Sequence, residues 1–245
     1  MSLHQRTAIV TGAGKRVGAV IAGALIADGW TVVAHVRRDG DRVPDGAVKV
    51  VADLADADCA QALFKAAAGL APVALLVNNA ARFGWDDLGS FDVDQFDAHM
   101  AVNVRAPLLL MKAFAAAPDG QGDRQIVNIL DAKLAAPNPD FLSYTVSKHA
   151  LAGASELAAR ALAAKGIRVN AIAPSLMLRS PGQSDENFAA MHSANPLRRG
   201  VGPEDVVAAL RYLIDAPSVT GQTLTIDGGQ RFWSLDRDVQ FMETR

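Results

Sequence analysis

The 245-residue sequence predicts a single-domain α/β fold, a doubly wound parallel sheet of about seven strands with helices on both faces. Three observations lead to this prediction. Short apolar runs recur along the chain and are separated by segments of helix-forming composition. The runs are apolar at successive positions, as expected for strands that are buried on both faces. The first run also ends in a glycine-rich turn that opens a helix.

The elements follow one another without a repeat, a linker or a break in composition, so residues 1–245 are expected to form one domain. Strands are predicted at residues 7–10, 31–36, 47–51, 73–77, 125–130, 167–172 and 223–226. Helices are predicted at about 17–27, 56–68, 93–117 and 141–165. Gly29 and Gly166 supply C-caps, and Pro137 and Pro139 prevent the last of these helices from starting before Asp140.

Two segments near the C-terminus are less regular. Residues 175–200 lack strong periodicity and contain Pro181-Gly182 and Asn195-Pro196, which is consistent with a mobile lid over a site or with an ordinary surface excursion. The tail, residues 231–245, is too aromatic for an inert solvated end. We therefore expect Phe232 and Trp233 to pack at a subunit interface.

Composition excludes several classes of partner. The formal net charge of −2 and the pI near 6.2 provide no basic field for nucleic acid or for an anionic membrane. The single cysteine, Cys59, cannot form an internal disulfide, which suits a reducing compartment. No apolar run has the length of a membrane span, and the N-terminus lacks a signal pattern. We expect a cytoplasmic protein with a small-molecule substrate, and we assign no metal ligands.

Tyr144 and Lys148 lie four residues apart near the start of the predicted helix at 141–165. Side chains at this spacing project from one helical face, so the ammonium can approach the phenol. A nearby cation favours the ionised phenol and is expected to lower the tyrosine pKa towards neutrality, where tyrosine can exchange protons. A pair of this kind also occurs by chance on solvated helix faces.

The turn after the first strand reads Gly12-Ala-Gly14-Lys-Arg-Val-Gly18. Glycines at a strand-to-helix junction let the backbone approach a pyrophosphate, and the helix N-terminus favours its negative charge. The spacing is G-x-G-x-x-x-G, one residue longer than the common dinucleotide fingerprint, and a simple tight loop is the alternative. Within a parallel sheet, the turn predicts a Rossmann-type dinucleotide site.

The segment after the second strand reads Ala34-His35-Val36-Arg37-Arg38. A carboxylate at this place usually binds the ribose 2′-hydroxyl of NADH, whereas arginines suit the 2′-phosphate of NADPH. The sequence therefore favours NADPH. A solvated basic turn, neutralised by Asp39 and Asp41, is the alternative.

Taken together, the motifs resemble the short-chain dehydrogenase/reductase family over essentially the whole chain. They are TGAGKRVG, Asp53-Leu54, NNAA at 78–81, Asn103 in NVRAP, Tyr144 with Lys148, Ala173-Pro174 and Asp227-Gly228-Gly229. The resemblance implies that Tyr144 is the acid/base, that Lys148 holds the nicotinamide ribose and tunes the tyrosine, and that Asn103 supports a proton relay. It also implies a homo-oligomer, a dimer of dimers that pairs through the helices at 95–115 and 141–165.

The same resemblance assigns a set of cofactor residues, of which Asp53 and Leu54 frame the adenine and Asn79 lies along the cofactor. The set is Gly12, Lys15, Arg16, Val17, Gly18, His35, Arg37, Arg38, Asp53, Leu54, Asn79, Ala80, Tyr144, Lys148 and Pro174.

Two departures from the family pattern narrow the resemblance. Arg16 replaces the usual third glycine of the turn, and Asp131 replaces the usual catalytic serine thirteen residues before Tyr144. Together with Phe83 after the NNAA motif, these changes resemble pteridine reductases and bacterial dihydrofolate or dihydromonapterin reductases. That branch implies that Arg16 contacts cofactor phosphate and pterin, that Asp131 assists protonation and that Phe83 stacks on the pterin.

The chemistry of Asp131 agrees with this interpretation. An ionised carboxylate repels the alkoxide that develops when a ketone is reduced, whereas a carboxyl group can pass a proton to the nitrogen of a C=N bond. Asp131 could alternatively act only as a cap or pair with Lys133 or Lys148. We predict an NADPH-dependent reductase of a pterin or folate. The alternatives are a carbonyl or 3-oxoacyl reductase and, more remotely, a non-catalytic NADP-binding sensor or scaffold.

Overall fold

The computed structural model describes residues 6–118, 122–180, 182–233 and 235–242. Within these residues, seven strands form one parallel sheet in the order 3-2-1-4-5-6-7. The strands are β1 Thr7–Val10, β2 Thr31–Val36, β3 Val48–Val51, β4 Val73–Asn78, β5 Arg124–Ile129, β6 Ile167–Pro174 and β7 Thr223–Ile226. The strand order reverses direction between β1 and β4, the point where such sheets bind ligands. The predicted Rossmann-type fold is confirmed.

Helices cover both faces of the sheet and enclose an apolar core on each face. They are α1 Arg16–Ala27, α2 Cys59–Ala67, α3 Val93–Met100, α4 Ala106–Ala116, α5 Leu142–Leu162, α6 Asp185–His192 and α7 Pro203–Asp215. On one face, α1 and α7 bury Ile21 and Leu210 against the strands. On the other face, α2 and α4 bury Leu63 and Phe114, and α5 packs beside them. This two-sided burial accounts for the continuously apolar strands.

The predicted helix at 93–117 is wrong in one respect, because it is interrupted. A π-helical turn, Ala101–Arg105, separates α3 from α4. Pro107 lies in the first turn of α4 and has no N–H to donate to the carbonyl of residue 103 four positions earlier, so the regular α-helical pattern cannot continue there. The turn places Asn103 against α5, where its side chain donates to the Ser147 hydroxyl.

Two helices near the C-terminus, α6 and α7, were not predicted from the sequence. Helix α6 lies within residues 175–200 and begins where the Ser184 side chain accepts a hydrogen bond from the Asn187 amide. Helix α7 starts at Pro203, and the Asp205 carboxylate accepts a hydrogen bond from the Gly202 amide. Both starts carry ordinary capping residues, which were a readable signal. Pro181, named as part of the irregular segment, lies outside the described residues.

Two expectations about the surroundings of the chain can be placed on this fold. In the part of the chain that the structure describes, no helix combines the length and hydropathy needed to cross a bilayer.

Leu108 on α4 and Val146 and Leu157 on α5 are exposed apolar side chains, in the region expected to pair between subunits. The homo-oligomer, its dimer-of-dimers arrangement and the interface role of Phe232 and Trp233 stay predictions.

Candidate active site

A cleft of about 840 Å³ opens at the carboxyl ends of the strands, where the strand order reverses. The predicted cofactor and substrate residues all line it: Gly12, Lys15, Arg16, Val17, Gly18, His35, Arg37, Arg38, Asp53, Leu54, Asn79, Ala80, Phe83, Asp131, Tyr144, Lys148 and Pro174. The parallel strands all end at this edge, so residues distant in sequence meet there. Asn103 is the predicted site residue that does not line the cleft.

The side chains of Tyr144 and Asp131 form a hydrogen bond in the cleft. The Tyr144 hydroxyl donates to Oδ2 of Asp131 at 2.9 Å. The other carboxylate oxygen, Oδ1, accepts from the Lys133 amide at 2.9 Å and caps the short 3-10 turn Ala132–Ala135. The capping role that we kept as an alternative is therefore present, and it uses only one oxygen. The cap orients the carboxyl group so that its second oxygen meets the phenol.

The charge state of this pair differs from the prediction. Burial, followed by the neighbouring Asp131, raises the pKa of Tyr144 well above its usual value. The expected lowering of the tyrosine pKa by Lys148 is therefore wrong in this structure. Burial also raises the pKa of Asp131, although the Lys133 amide, the Tyr144 hydroxyl and the Lys148 charge act in the opposite direction. The pair is therefore biased towards holding protons.

Lys148 is buried beneath the tyrosine. Its Nζ donates to the Ile129 carbonyl at 2.7 Å and lies 5.7 Å from the centroid of the Tyr144 ring. Burial lowers the pKa of Lys148 to about 8, partly opposed by the Asp131 charge. A lysine with this pKa remains mostly protonated at neutral pH and supplies positive charge beside Asp131.

Asn103 connects the loop after β4 to α5. Its Oδ1 accepts from the Arg82 amide at 2.7 Å, and its Nδ2 donates to the Arg82 carbonyl at 3.0 Å and to the Ser147 hydroxyl at 2.8 Å. Ser147 in turn donates to the Tyr144 carbonyl at 2.6 Å. Asn103 thus acts as a positioning residue in this geometry, and its relay role stays a prediction. Ser147 gave no signal in the sequence.

The glycine turn leaves room for a phosphate. Gly12 has a φ of +67°, and a Cβ on it would lie 3.0 Å from the Ala80 Cα. A Cβ on Gly18 would lie 2.1 Å from the Gly12 carbonyl oxygen. The N-cap of α1, Lys15, makes no side-chain cap bond, so its side chain does not satisfy the first amides of the helix. Uncapped amides beside a glycine cradle fit the pyrophosphate of a dinucleotide.

Arg16 has an unusual backbone for a residue with a side chain. Its φ is +53°, in the left-handed region that glycine occupies at no cost. The guanidinium donates to the Arg179 carbonyl at 3.1 Å and to the Leu178 carbonyl at 3.4 Å. Arg16 therefore connects the glycine turn with the segment after β6. Contacts of Arg16 with phosphate and pterin stay predictions.

His35 supports the turn from below. Its Nδ1 accepts from the Gly12 amide at 3.1 Å, and its Nε2 lies 3.0 Å from the Ala52 carbonyl, to which it donates. Burial lowers the pKa of His35 and keeps the ring neutral. Both ring nitrogens are engaged within the protein, so His35 positions the glycine turn. It also lines the cleft, and its contact with the cofactor stays a prediction.

Among the remaining predicted cofactor residues, Asn79 and Asp53 stabilise the loops around the cleft, and Arg37 and Arg38 lie at its surface. Asn79 ties β4 to the glycine turn, because its Nδ2 donates to the Thr11 carbonyl at 2.9 Å. Asp53 accepts from the Ala55 amide at 2.8 Å and shapes the turn after β3. Arg37 and Arg38 are exposed at the edge of the cleft. These two guanidinium groups are well placed to meet an anion that enters along β2.

An aromatic surface flanks the tyrosine. Phe83 is 43% exposed in the cleft and meets Tyr144 edge-on, with the ring centroids 4.8 Å apart. It stacks on Phe141 with a centroid distance of 4.5 Å and an interplanar angle of 23°. Phe141, which sequence reasoning missed, is buried and has a φ of +58°. The surface suits a flat conjugated ring beside the Tyr144 hydroxyl.

The fold, the glycine cradle and the Tyr144–Lys148 pair together define a nicotinamide-dependent oxidoreductase. Residues 12–231 match the protein-family model described as enoyl-(acyl carrier protein) reductase. The chain belongs to the short-chain dehydrogenase/reductase family and resembles its pteridine reductase branch.

Three similar proteins illustrate the range of relatives. The structure of FolM alternative dihydrofolate reductase 1 from Brucella canis complexed with NADP has a TM-score of 0.86 and 34% identity, covering 94% of this chain and 96% of that one. Pteridine reductase 1 of Leishmania tarentolae is 32% identical, over 94% of this chain and 96% of its own. L-xylulose reductase of Bos taurus is 34% identical, over 94% and 98% respectively.

Proposed function

We propose that the protein uses NADPH to reduce a C=N bond of a pterin or folate and forms the tetrahydro product. One observation carries the proposal: Asp131 stands where the family usually has serine, and it is bonded to Tyr144 inside the cleft at 2.9 Å. A carboxyl group in this place suits protonation of a ring nitrogen better than stabilisation of an alkoxide.

The residues divide the reaction between them. Bound NADPH supplies the hydride to the carbon of the C=N bond. Burial raises the pKa of Asp131, which favours the protonated carboxyl group, and this group lies beside the Tyr144 hydroxyl. The Tyr144 hydroxyl gives its proton to the ring nitrogen and takes the Asp131 proton in return, and Asp131 is reprotonated from solvent. Phe83 presents its ring to the substrate.

The similar proteins support two hypotheses about the substrate class. The printed names of the Brucella and Leishmania proteins favour a pterin or folate. Carbonyl reduction is the second candidate, because L-xylulose reductase and a 3-oxoacyl-[acyl-carrier-protein] reductase, 28% identical, also cover nearly the whole chain. The hydrogen bond between Tyr144 and Asp131 in the cleft argues against a non-catalytic NADP-binding sensor.

The Asp131→Ser variant distinguishes a pterin or folate reductase from a carbonyl reductase. Serine caps as well as aspartate, so the bond from the Lys133 amide is expected to persist. Serine cannot donate the proton that Asp131 is proposed to supply. We therefore expect kcat for dihydropterins to fall by roughly 10²-fold or more, with a smaller change for simple ketones. The measurement is NADPH oxidation with a panel of dihydropterins and ketones.

The pH profile supplies a second readout of the same variant. Asp131 donates only when protonated, so the rate of the wild type should fall as the pH rises through its raised pKa, and this alkaline limb should be absent in Asp131→Ser. Asp58→Ser is the control, because Asp58 is an exposed N-cap of α2 outside the cleft. Wild-type protein that reduces ketones briskly and dihydropterins not at all would refute the pterin proposal.

Preference for NADPH is assigned to Arg37 and Arg38. The double change to serine removes two cations at the end of β2, and hydrogen bonds to charged groups contribute about 1.5–3 kcal/mol each. Because both contributions are lost, we expect the KM for NADPH to rise by roughly 10²-fold or more, with the KM for NADH nearly unchanged. Lys65→Ser, an exposed cation on α2 outside the cleft, is the control. Equal losses with both cofactors would argue against a 2′-phosphate site.

A further inference from the structure

The C-terminal strap, residues 235–242, returns to the active site of its own chain. Leu235, Asp238 and Val239 line the cleft, and residues 239–241 form a 3-10 turn. The strap also contacts α6, since the Asn187 side chain donates to the Met242 carbonyl at 2.8 Å. This described part of the tail therefore forms one wall of the site.

An ion pair latches the strap to the start of the catalytic helix. The Arg237 guanidinium binds both carboxylate oxygens of Asp140 at 2.8 Å, and the Asp238 amide donates to the same carboxylate at 2.8 Å. Only 3% of the Asp140 side chain is exposed, and Arg237 leads the contacts that lower its pKa to about 2. The latch therefore stays charged throughout the neutral range.

Lys133 links the strap to the turn that holds Asp131, the proposed proton donor. Lys133 Nζ donates to Asp238 Oδ2 at 3.1 Å and to the Asp140 carbonyl at 2.7 Å. The Lys133 backbone amide is the group that caps Asp131. One lysine thus joins the strap, the helix start and the turn that holds Asp131.

The strap also supports the aromatic surface. Phe241 stacks on Phe141 with centroids 6.0 Å apart at 21°, and it meets Trp85 edge-on at 6.3 Å. Phe141 in turn stacks on Phe83. The Arg237 guanidinium lies 5.1 Å above the Phe241 ring. Loss of the latch would therefore loosen the packing of Phe141, on which the Phe83 ring stacks.

We propose that Arg237 and Asp238 are positioning residues, which hold the strap closed over the substrate end of the cleft and keep Asp131 and Phe83 in their reactive arrangement. This inference rests on the proposed function, because Asp131 is its proton donor. The charged and titratable groups around Asp131 are Tyr144 and Lys148 from α5, Lys133 from the turn and Asp238 from the strap. The Asp238 charge raises the pKa of both Asp131 and Tyr144.

Arg237→Gln tests the latch, and Arg211→Gln is its matched control. Arg211 makes an ion pair of the same form with Asp28, also with two bonds of 2.8 Å, on the outside of α7. In Arg237→Gln we expect faster amide exchange over residues 237–242 and a roughly tenfold loss of kcat/KM for dihydropterin, mainly through KM. The alkaline limb should move to lower pH, because Asp238 moves away from Asp131. Arg211→Gln should leave all three unchanged.

Asp238→Asn keeps the latch and removes only the charge. The shift of the alkaline limb should appear with little change in amide exchange. Faster exchange in Arg237→Gln without a change in KM or pH profile would overturn the positioning role, and unchanged exchange would overturn the latch. The exchange measurement needs no substrate, so it distinguishes failure of the latch from failure of the proposed function, which the wild type reveals by not turning over dihydropterins.

Discussion

Replacing Tyr144 by phenylalanine is expected to lower kcat by about two to four orders of magnitude. The change removes one hydroxyl and nothing else, so the ring keeps its edge contact with Phe83 and its burial on α5. Asp131 loses the donor to Oδ2 and, in the proposed reaction, the hydroxyl that passes its proton to the substrate nitrogen. Affinity for NADPH, measured by titration of protein fluorescence, should stay within about threefold of the wild type, because the glycine turn is untouched.

The chain offers a matched control for this change. It has two tyrosines, and the other, Tyr212, is 55% exposed on α7. Tyr212→Phe should leave kcat and NADPH affinity as they are. Turnover of Tyr144→Phe at the wild-type rate would mean that another group supplies the proton. Absence of turnover in both the wild type and Tyr144→Phe, with NADPH still bound, would instead favour the sensor alternative.

Gly18→Ala should cause the largest loss of cofactor binding from a single added methyl group. The new Cβ would lie 2.1 Å from the Gly12 carbonyl oxygen and 2.5 Å from Asn79 Nδ2. The first of these is backbone, so the turn itself must move. Overpacking of this kind costs about 1–3 kcal/mol of stability. Because the displaced atoms form the phosphate cradle, we expect NADPH affinity to fall by about 100-fold or more.

Gly23→Ala on the same helix separates steric conflict from helix propensity. A Cβ at Gly23 would meet nothing within 4 Å. Alanine stabilises a helix interior by roughly 0.5–1 kcal/mol relative to glycine. The control should therefore raise the melting temperature slightly and leave NADPH binding unchanged, whereas Gly18→Ala should lower both. Wild-type affinity in Gly18→Ala would mean that the phosphates bind elsewhere.

The sheet, the position of the cleft and most of the residues that line it could be predicted from the amino-acid sequence alone. Strand periodicity, glycine turns and the four-residue spacing of Tyr144 and Lys148 are local properties, and local properties are legible in a sequence. Parallel strands then bring their carboxyl ends together without further information. The replacement of serine by Asp131 was equally visible, because it lies at a set distance before Tyr144.

The pKa shifts of these groups and the long-range contacts that position them become visible only in the folded chain. The pKa of Tyr144 is raised because burial and Asp131 outweigh any effect of Lys148, and burial cannot be read from spacing. The Arg237–Asp140 latch joins residues 97 positions apart, with no local pattern to announce it. Desolvation and long-range pairing depend on what the folded chain brings together, whereas strand and helix signals depend on neighbours in sequence.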